Sequence, residues 1–187
     1  KYTFTHIQFD FEYYPASLIY AYESFLKKVK NRFPNLHISI ALFPQISFNK
    51  KYSAFHNFKI LAPVTDSIVL MCYDLHKPGT IAGPVTSISW AKKNILYTLK
   101  YFEPKQVWLG IPAYGYKWKN KSRRASVVSS RKIAYYMTRN ICRRHVSQTI
   151  QCSYIYKRNR YIMYVSDNVT RKALKKLAKN YSLKGTA

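Results

Sequence analysis

The chain has 187 residues, of which 48% are hydrophobic and 17% aromatic, a composition that supports one globular domain with a real core and excludes a disordered segment. Lys and Arg number 32 against 7 Asp and Glu, for a net charge of +25, which fits a general basic bias or attraction to a polyanion. No apolar run approaches the ~20 residues needed to cross a bilayer, no nucleic-acid motif accompanies the scattered cations, and a chain that opens on Lys1 leaves localisation unread.

In chain order, Thr3 to Glu12 reads as a strand, with Ile7, Phe9 and Phe11 on one face and Gln8, Asp10 and Glu12 on the other. Ser17 to Arg32 has helical spacing through Leu18, Tyr22, Phe25, Leu26 and Val29, and Asn31-Arg-Phe-Pro-Asn35 stops it. Leu36 to Phe43 is a second strand. Leu61 to Asp66 leads into a third, Ser67 to Tyr73. Thr86 or Ser87 can cap a helix to about Phe102, Pro104 marks its end, and Gln106 to Pro112 is a fourth strand. Short apolar strands alternating with helices imply a parallel sheet with helices outside it.

After Trp118 the pattern changes. A basic loop, Lys119 to Arg124, leads to a helix expected from about Ser129 to Arg144. Gln151 to Tyr156 and Tyr161 to Val165 form a hairpin pattern, a last helix covers about Val169 to Tyr181, and Leu183 to Ala187 begins another strand. Residues 119–168 thus read as a small helix-plus-hairpin insertion. Cys72 reads as a buried thiol. An oxidising compartment would allow Cys142 and Cys152 to pair, and no cysteine or histidine has zinc-ligand spacing, so no metal and no cofactor are expected.

With so few acids, their placement carries information. Asp10 and Glu12 at i and i+2 point the same way, with Cα atoms about 6.5–7 Å apart. Acids on one face of an otherwise apolar strand fit the C-terminal strand end of a parallel barrel, where active sites form. Two further strands run into polar and aromatic ends: Ser67-Ile-Val-Leu-Met-Cys-Tyr-Asp74, and Trp108-Leu-Gly-Ile-Pro-Ala-Tyr-Gly-Tyr-Lys-Trp118. Aromatics in such positions serve either as rim packing or as platforms for pyranose rings.

In this order, the segments resemble family-18 glycoside hydrolases. "IQFDFEYYP" is similar to the end of the family's D-x-x-D-x-D-x-E signature, matching at Asp10 and Glu12 and departing at Thr5 and Gln8. "MCYDLH" is similar to the family's M-x-Y-D strand, and "LGIPAYGYKW" to its G-I-P-x-Y-G strand with a following Trp. The resemblance spans nearly the whole chain. It implies an α/β fold, a partial (β/α)8 barrel covering roughly strands four to eight within residues 1–187. A complete barrel takes about 250 residues. Strands one to three are therefore expected outside this chain and the eighth is expected to be cut at Ala187, an open arc that would be poorly soluble and weakly active alone.

The resemblance also implies a glycosidase that cleaves β-1,4 bonds next to N-acetylglucosamine, in chitin or peptidoglycan, by substrate-assisted retaining catalysis. Glu12 would be the proton donor. Asp10 would orient the acetamido group, Tyr73 would hydrogen-bond it, and Gln8, Met71, Asp74, Tyr114 and Trp118 would contact the substrate. Gln8 stands where the family usually has an acid, so it can hydrogen-bond Asp10 but cannot titrate. The expected partner is an N-acetylglucosamine-containing polysaccharide, with an anionic cell-wall polymer a further candidate for the basic surface and no specific nucleic acid. The family favours a secreted or cell-envelope setting. Two other readings stay open: a catalytically weak or inactive carbohydrate-binding relative, and a basic polyanion binder without sugar chemistry.

Overall fold

A computed structural model of the chain describes residues 4–119, 122–129, 132, 142–144, 150–156 and 158–187. They form two compact units, one of residues 1–71, 93–110 and 178–187, the other of residues 72–92 and 111–177.

The first unit is built on five parallel strands: β1 (His6–Phe9), β2 (His37–Leu42), β3 (Ser67–Leu70), β4 (Val107–Leu109) and, last in the chain, β10 (Gly185–Thr186). They neighbour one another in the order β1-β2-β3-β4-β10, so β1 and β10 are the sheet's two edges. The expected parallel sheet is present. Each strand is shorter than its apolar run, because ladder pairing stops where the chain turns away. β1 ends at Phe9 rather than Glu12.

Register explains why this unit holds. Phe9 pairs with Ile40, and Ile40 with Ile68, so these residues share one face with Leu42 and Leu70. Ile38, Ile40, Leu42, Ile68 and Leu70 are all fully buried. Helix α1 (Ile19–Arg32) buries Ile19, Tyr22 and Leu26, the spacing of one helical face. Phe25 of α1 meets Phe9 edge-on at 5.2 Å, which sets α1 against that side of the sheet. The Asp66 carboxylate accepts the Ile38 N–H at 2.8 Å and pairs with Lys30 at 2.6 Å. That contact ties the end of α1 to the start of β2 and β3. On the opposite face, Gln8, Ser39, Ser67, Val69 and Trp108 line a cavity of about 480 Å³, where His37 Nε2 and Ser67 Oγ lie 2.8 Å apart.

Two single turns, α2 (Lys50–Ser53) and α3 (Phe58–Leu61), follow β2, capped by Asn49 and Asn57. Helix α4 (Ile88–Thr98) begins as expected at a serine: Ser87 Oγ accepts the Trp90 N–H.

The second unit carries an antiparallel sheet of β5 (Tyr114–Lys119), β6 (Ala125–Ser129), β7 (Cys142–Arg144), β8 (Ile150–Tyr156) and β9 (Asn159–Val165), in the order β6-β5-β9-β8-β7. The expected hairpin is β8–β9. Its tight turn places Arg158 at φ 63°. Helix α5 (Asn168–Asn180) follows, with Asp167 Oδ1 accepting the Thr170 N–H at 2.9 Å.

One expectation is corrected at both ends. The helix expected from about Ser129 to Arg144 has its first residue at the end of β6 and its last three in β7, while Lys132 between them is helical and residues 130–131 and 133–141 lie outside the described set. Ala125-Ser-Val-Val-Ser129 buries Val128 and exposes Val127, a period of two that pairing with β5 selects. In the β7–β8 register Cys142 faces Cys152, and their side chains lie outside the described residues.

Candidate functional site

Asp10 and Glu12 leave β1 immediately beyond its last ladder pair, Phe9 with Ile40. Between them, Phe11 turns its ring away to Tyr22 at 5.2 Å, Tyr14 at 5.9 Å and Phe25 at 6.0 Å. The expected division of faces therefore holds for Phe9 and Phe11, which pack toward α1. Gln8 lies on the opposite side of the strand and lines the 480 Å³ cavity. Tyr13, directly after Glu12, has φ 63°, a conformation uncommon for a bulky residue. Its ring is held against Phe43 at 5.4 Å and edge-on to Tyr52 at 5.2 Å.

The Phe11 carbonyl accepts the Nε2 proton of His56 at 2.9 Å, and His56 Nδ1 accepts the Phe43 N–H at 2.7 Å. Burial pushes the His56 pKa down, and the Phe11 hydrogen bond and the Asp10 carboxylate offset only part of that. Burial first and the Asp10 charge second push the Tyr22 phenol up.

In the second unit, Asp74 Oδ1 accepts two phenolic hydrogen bonds, from Tyr114 at 2.6 Å and from Tyr116 at 2.8 Å. Asp74 itself has φ 61°. Burial, then the hydrogen bond to Asp74, raise the Tyr114 pKa. Tyr73 meets Tyr114 edge-on at 6.3 Å. Trp118 is 1% exposed, packed with Val85, Tyr116 and Tyr164, and its indole N–H donates to the Thr80 carbonyl at 3.2 Å. Among the described residues no cluster of three or more His, Cys, Asp or Glu could hold a metal ion, and no helix is long and apolar enough to cross a membrane.

The family model of glycosyl hydrolases family 18 matches residues 1–187. The chain belongs to this family. It is 32% identical over 122 residues to the cortical fragment-lytic enzyme of Bacillus anthracis, a match covering 64% of this chain and 28% of that protein. It is 24% identical over 196 residues to the uncharacterized glycosylase YvbX of Bacillus subtilis (strain 168), covering 100% of this chain and 57% of that protein. The chain thus spans less than two thirds of these relatives. Among solved structures, the Bacillus cereus spore cortex-lytic enzyme SleL superposes with a TM-score of 0.86 at 25% identity, covering 97% of this chain and 45% of that chain. The chitinase of Chromobacterium violaceum ATCC 12472 superposes at 0.89 with 19% identity, covering 98% of this chain and 60% of that chain, a likeness of fold.

Gln8, Asp10, Glu12 and Met71 belong to the first unit, Met71 being 2% exposed. Tyr73, Asp74, Tyr114 and Trp118 belong to the second, where the first three adjoin one another and Trp118 lies in the core beneath Tyr116. Sequence reasoning missed His56 and did not pair Tyr116 with Asp74. A lone histidine in an apolar stretch reads as ordinary core, and the Asp74–Tyr116 contact joins residues 42 positions apart.

Proposed function

We propose that the protein to which this chain belongs hydrolyses a glycosidic bond next to N-acetylglucosamine, with Glu12 as the proton donor. The observation that carries the reading is that the two acids follow β1 at the C-terminal end of a parallel sheet in a family-18 chain. Family 18 departs from the two-carboxylate scheme of most glycosidases: the substrate's acetamido oxygen attacks the anomeric carbon, so no protein nucleophile is needed. Glu12 protonates the leaving oxygen and then, as carboxylate, takes a proton from the water that opens the intermediate. Asp10 accepts the acetamido N–H and stabilises the positive charge that develops on the ring. Gln8 lies next but one before Asp10 and can hold it by hydrogen bonding without titrating. Tyr73, Asp74 and Tyr114, which adjoin one another in the second unit, carry the sugar-contact roles that the resemblance implies. The cortical fragment-lytic and cortex-lytic names of the relatives support a bacterial cell-wall glycan as the polymer.

The test is hydrolysis of an N-acetylglucosamine tetramer beside its fully deacetylated counterpart. Wild type should cleave the first and only bind the second, because the nucleophile is missing. Glu12→Gln should lower the rate by roughly 10²–10⁴, the loss expected for a general acid. Wild-type turnover by Glu12→Gln, or equal cleavage of both oligomers, would sink the mechanism. Tight binding of the tetramer without turnover by wild type would establish the carbohydrate-binding alternative.

A further inference from the structure

We propose that His56 is the positioning residue of the Asp10–Glu12 segment: its neutral imidazole bridges Phe43 to Phe11 and sets the peptide from which Glu12 projects. The proposal rests on the role given to Glu12 above.

Ladder pairing between β1 and β2 ends at Phe9 and Ile40, before either acid is reached. The Phe11 carbonyl is half of the peptide group whose other half is the Glu12 N–H. A hydrogen bond to that carbonyl therefore fixes the plane in which Glu12 begins. His56 supplies it at 2.9 Å and takes its own reference from the Phe43 N–H at 2.7 Å, just past the end of β2.

The two contacts admit one protonation state. The Phe43 N–H is a donor, so Nδ1 must be a bare acceptor, and the single proton sits on Nε2, aimed at the Phe11 oxygen. An imidazolium would present a second N–H to the Phe43 N–H at 2.7 Å, two donors face to face. The bridge then breaks and the buried Phe43 amide loses its acceptor.

The surroundings keep the ring neutral and in place. His56 is 0% exposed, stacked on Phe43 at 4.9 Å and tilted against Phe55 at 5.4 Å. The Asp10 carboxylate acts on it through its charge. From α1, Tyr22 stacks on Phe55 rather than on the imidazole. The main chain of His56 is anchored too: Gln45 Nε2 donates to the carbonyls of His56 at 3.2 Å, Ser53 at 3.1 Å and Phe43 at 3.2 Å. Gln45 is held in turn by Asn94 Oδ1, which accepts its N–H at 2.9 Å and that of Ile46 at 2.8 Å. A rigid chain of polar contacts so runs from α4 to the residue between the two acids.

A histidine whose folded pKa lies below its ordinary 6.5 is neutral in both folded and unfolded states above that value. As pH falls through it, the unfolded chain gains a proton first, so folding stability drops, and the bridge opens when the folded imidazole charges.

Two substitutions separate bridging from bulk. His56→Leu keeps volume and removes both bonds. His56→Gln keeps one acceptor and one donor on a planar amide and cannot titrate. On the N-acetylglucosamine tetramer, His56→Leu should lose about 10²-fold in kcat with little change in KM, the scale of a misplaced catalytic group. His56→Gln should stay within a few-fold of wild type and lose the part of the acid limb that tracks His56. Nitrogen-15 NMR of the wild-type protein to which this chain belongs should show the Nε2–H tautomer, and the Glu12 amide resonance should move with the same midpoint as the imidazole. An Nδ1–H tautomer, titration at the ordinary value, or equal loss in the Leu and Gln variants would overturn the proposal. The NMR readouts need no turnover and survive misfolding of either variant, so an inactive wild type would refute the proposed reaction while leaving the bridge tested on its own.

Discussion

Gly115 is the position in the second unit where one added methyl group should do the most damage. A Cβ built there stands 2.0 Å from the Tyr164 carbonyl oxygen, 2.5 Å from Val165 Cα and 2.7 Å from Val165 Cγ2. Two of those atoms are backbone of the neighbouring strand and cannot swing aside. Restoring even a 3.0 Å contact from 2.0 Å means parting β5 from β9 by about 1 Å locally. A ladder bond of ordinary length stretched that far is no longer a hydrogen bond. Losing two such bonds at about 1 kcal/mol each, with about 1–3 kcal/mol of overpacking strain, puts Gly115→Ala at about 3–5 kcal/mol. That is a large part of the roughly 5–15 kcal/mol that holds a domain folded. The effect reaches the candidate site, because Tyr114 and Tyr116, the two donors to Asp74, flank Gly115 in β5. The assay is urea unfolding followed by tryptophan fluorescence, with amide exchange of β5 and β9 as the local readout. A midpoint shift worth less than about 0.5 kcal/mol, the usual scatter of harmless surface changes, would refute the close-approach argument.

Other outcomes follow from the polar contacts. Asp74→Ala should cost about 2–3 kcal/mol, since it strips the acceptor from two phenols and places alanine at φ 61°, whereas Asp74→Asn tolerates that backbone and keeps an acceptor oxygen. The companion readout is ultraviolet titration of tyrosine: the Tyr114 phenol should ionise at lower pH in Asp74→Ala, and an unchanged curve would show that Asp74 does not hold it. Asp66 bears on acid stability. Burial alone would raise its pKa, but the Ile38 N–H and Lys30 together hold the carboxyl below the usual carboxylate range. Its contribution is present above the unfolded value and fades as pH falls through the folded one. Asp66→Asn should therefore lower the thermal midpoint at pH 7 and flatten its decline toward pH 3. The loss should be about 1 kcal/mol, because the Lys30 pair is partly exposed to solvent. A decline as steep as wild type would assign the acid sensitivity elsewhere.

Much of the first unit could be read from residue order. Ile38, Ile40 and Leu42 in one run and Ile68 and Leu70 in another are local period-two patterns, and Tyr22 and Leu26 lie on one helical face. Such periodicities are printed in the chain and need no partner to be recognised, which is why the parallel sheet was legible. Asp10 and Glu12 drew attention for a different reason: seven acids in a strongly basic chain leave few places for acid chemistry, and two of them stand two residues apart just beyond β1. Three matters were decided only in three dimensions. Trp108 to Trp118 reads as an apolar strand with an aromatic end, yet β4 and β5 join different sheets, because pairing partners far along the chain choose where each strand stops. Ala125 to Ser129 became a strand because β5 offered it an unpaired edge, a long-range hydrogen-bond opportunity invisible to local propensity. His56 carries no motif: its importance comes from two backbone groups, 13 and 45 residues away, that only folding brings to its two nitrogens. Local sequence sets which faces are apolar and which residues can do acid chemistry. Long-range contact sets where strands end, which tautomer is held and which backbone groups a buried side chain meets, because those depend on groups whose distance along the chain says nothing about their distance in space.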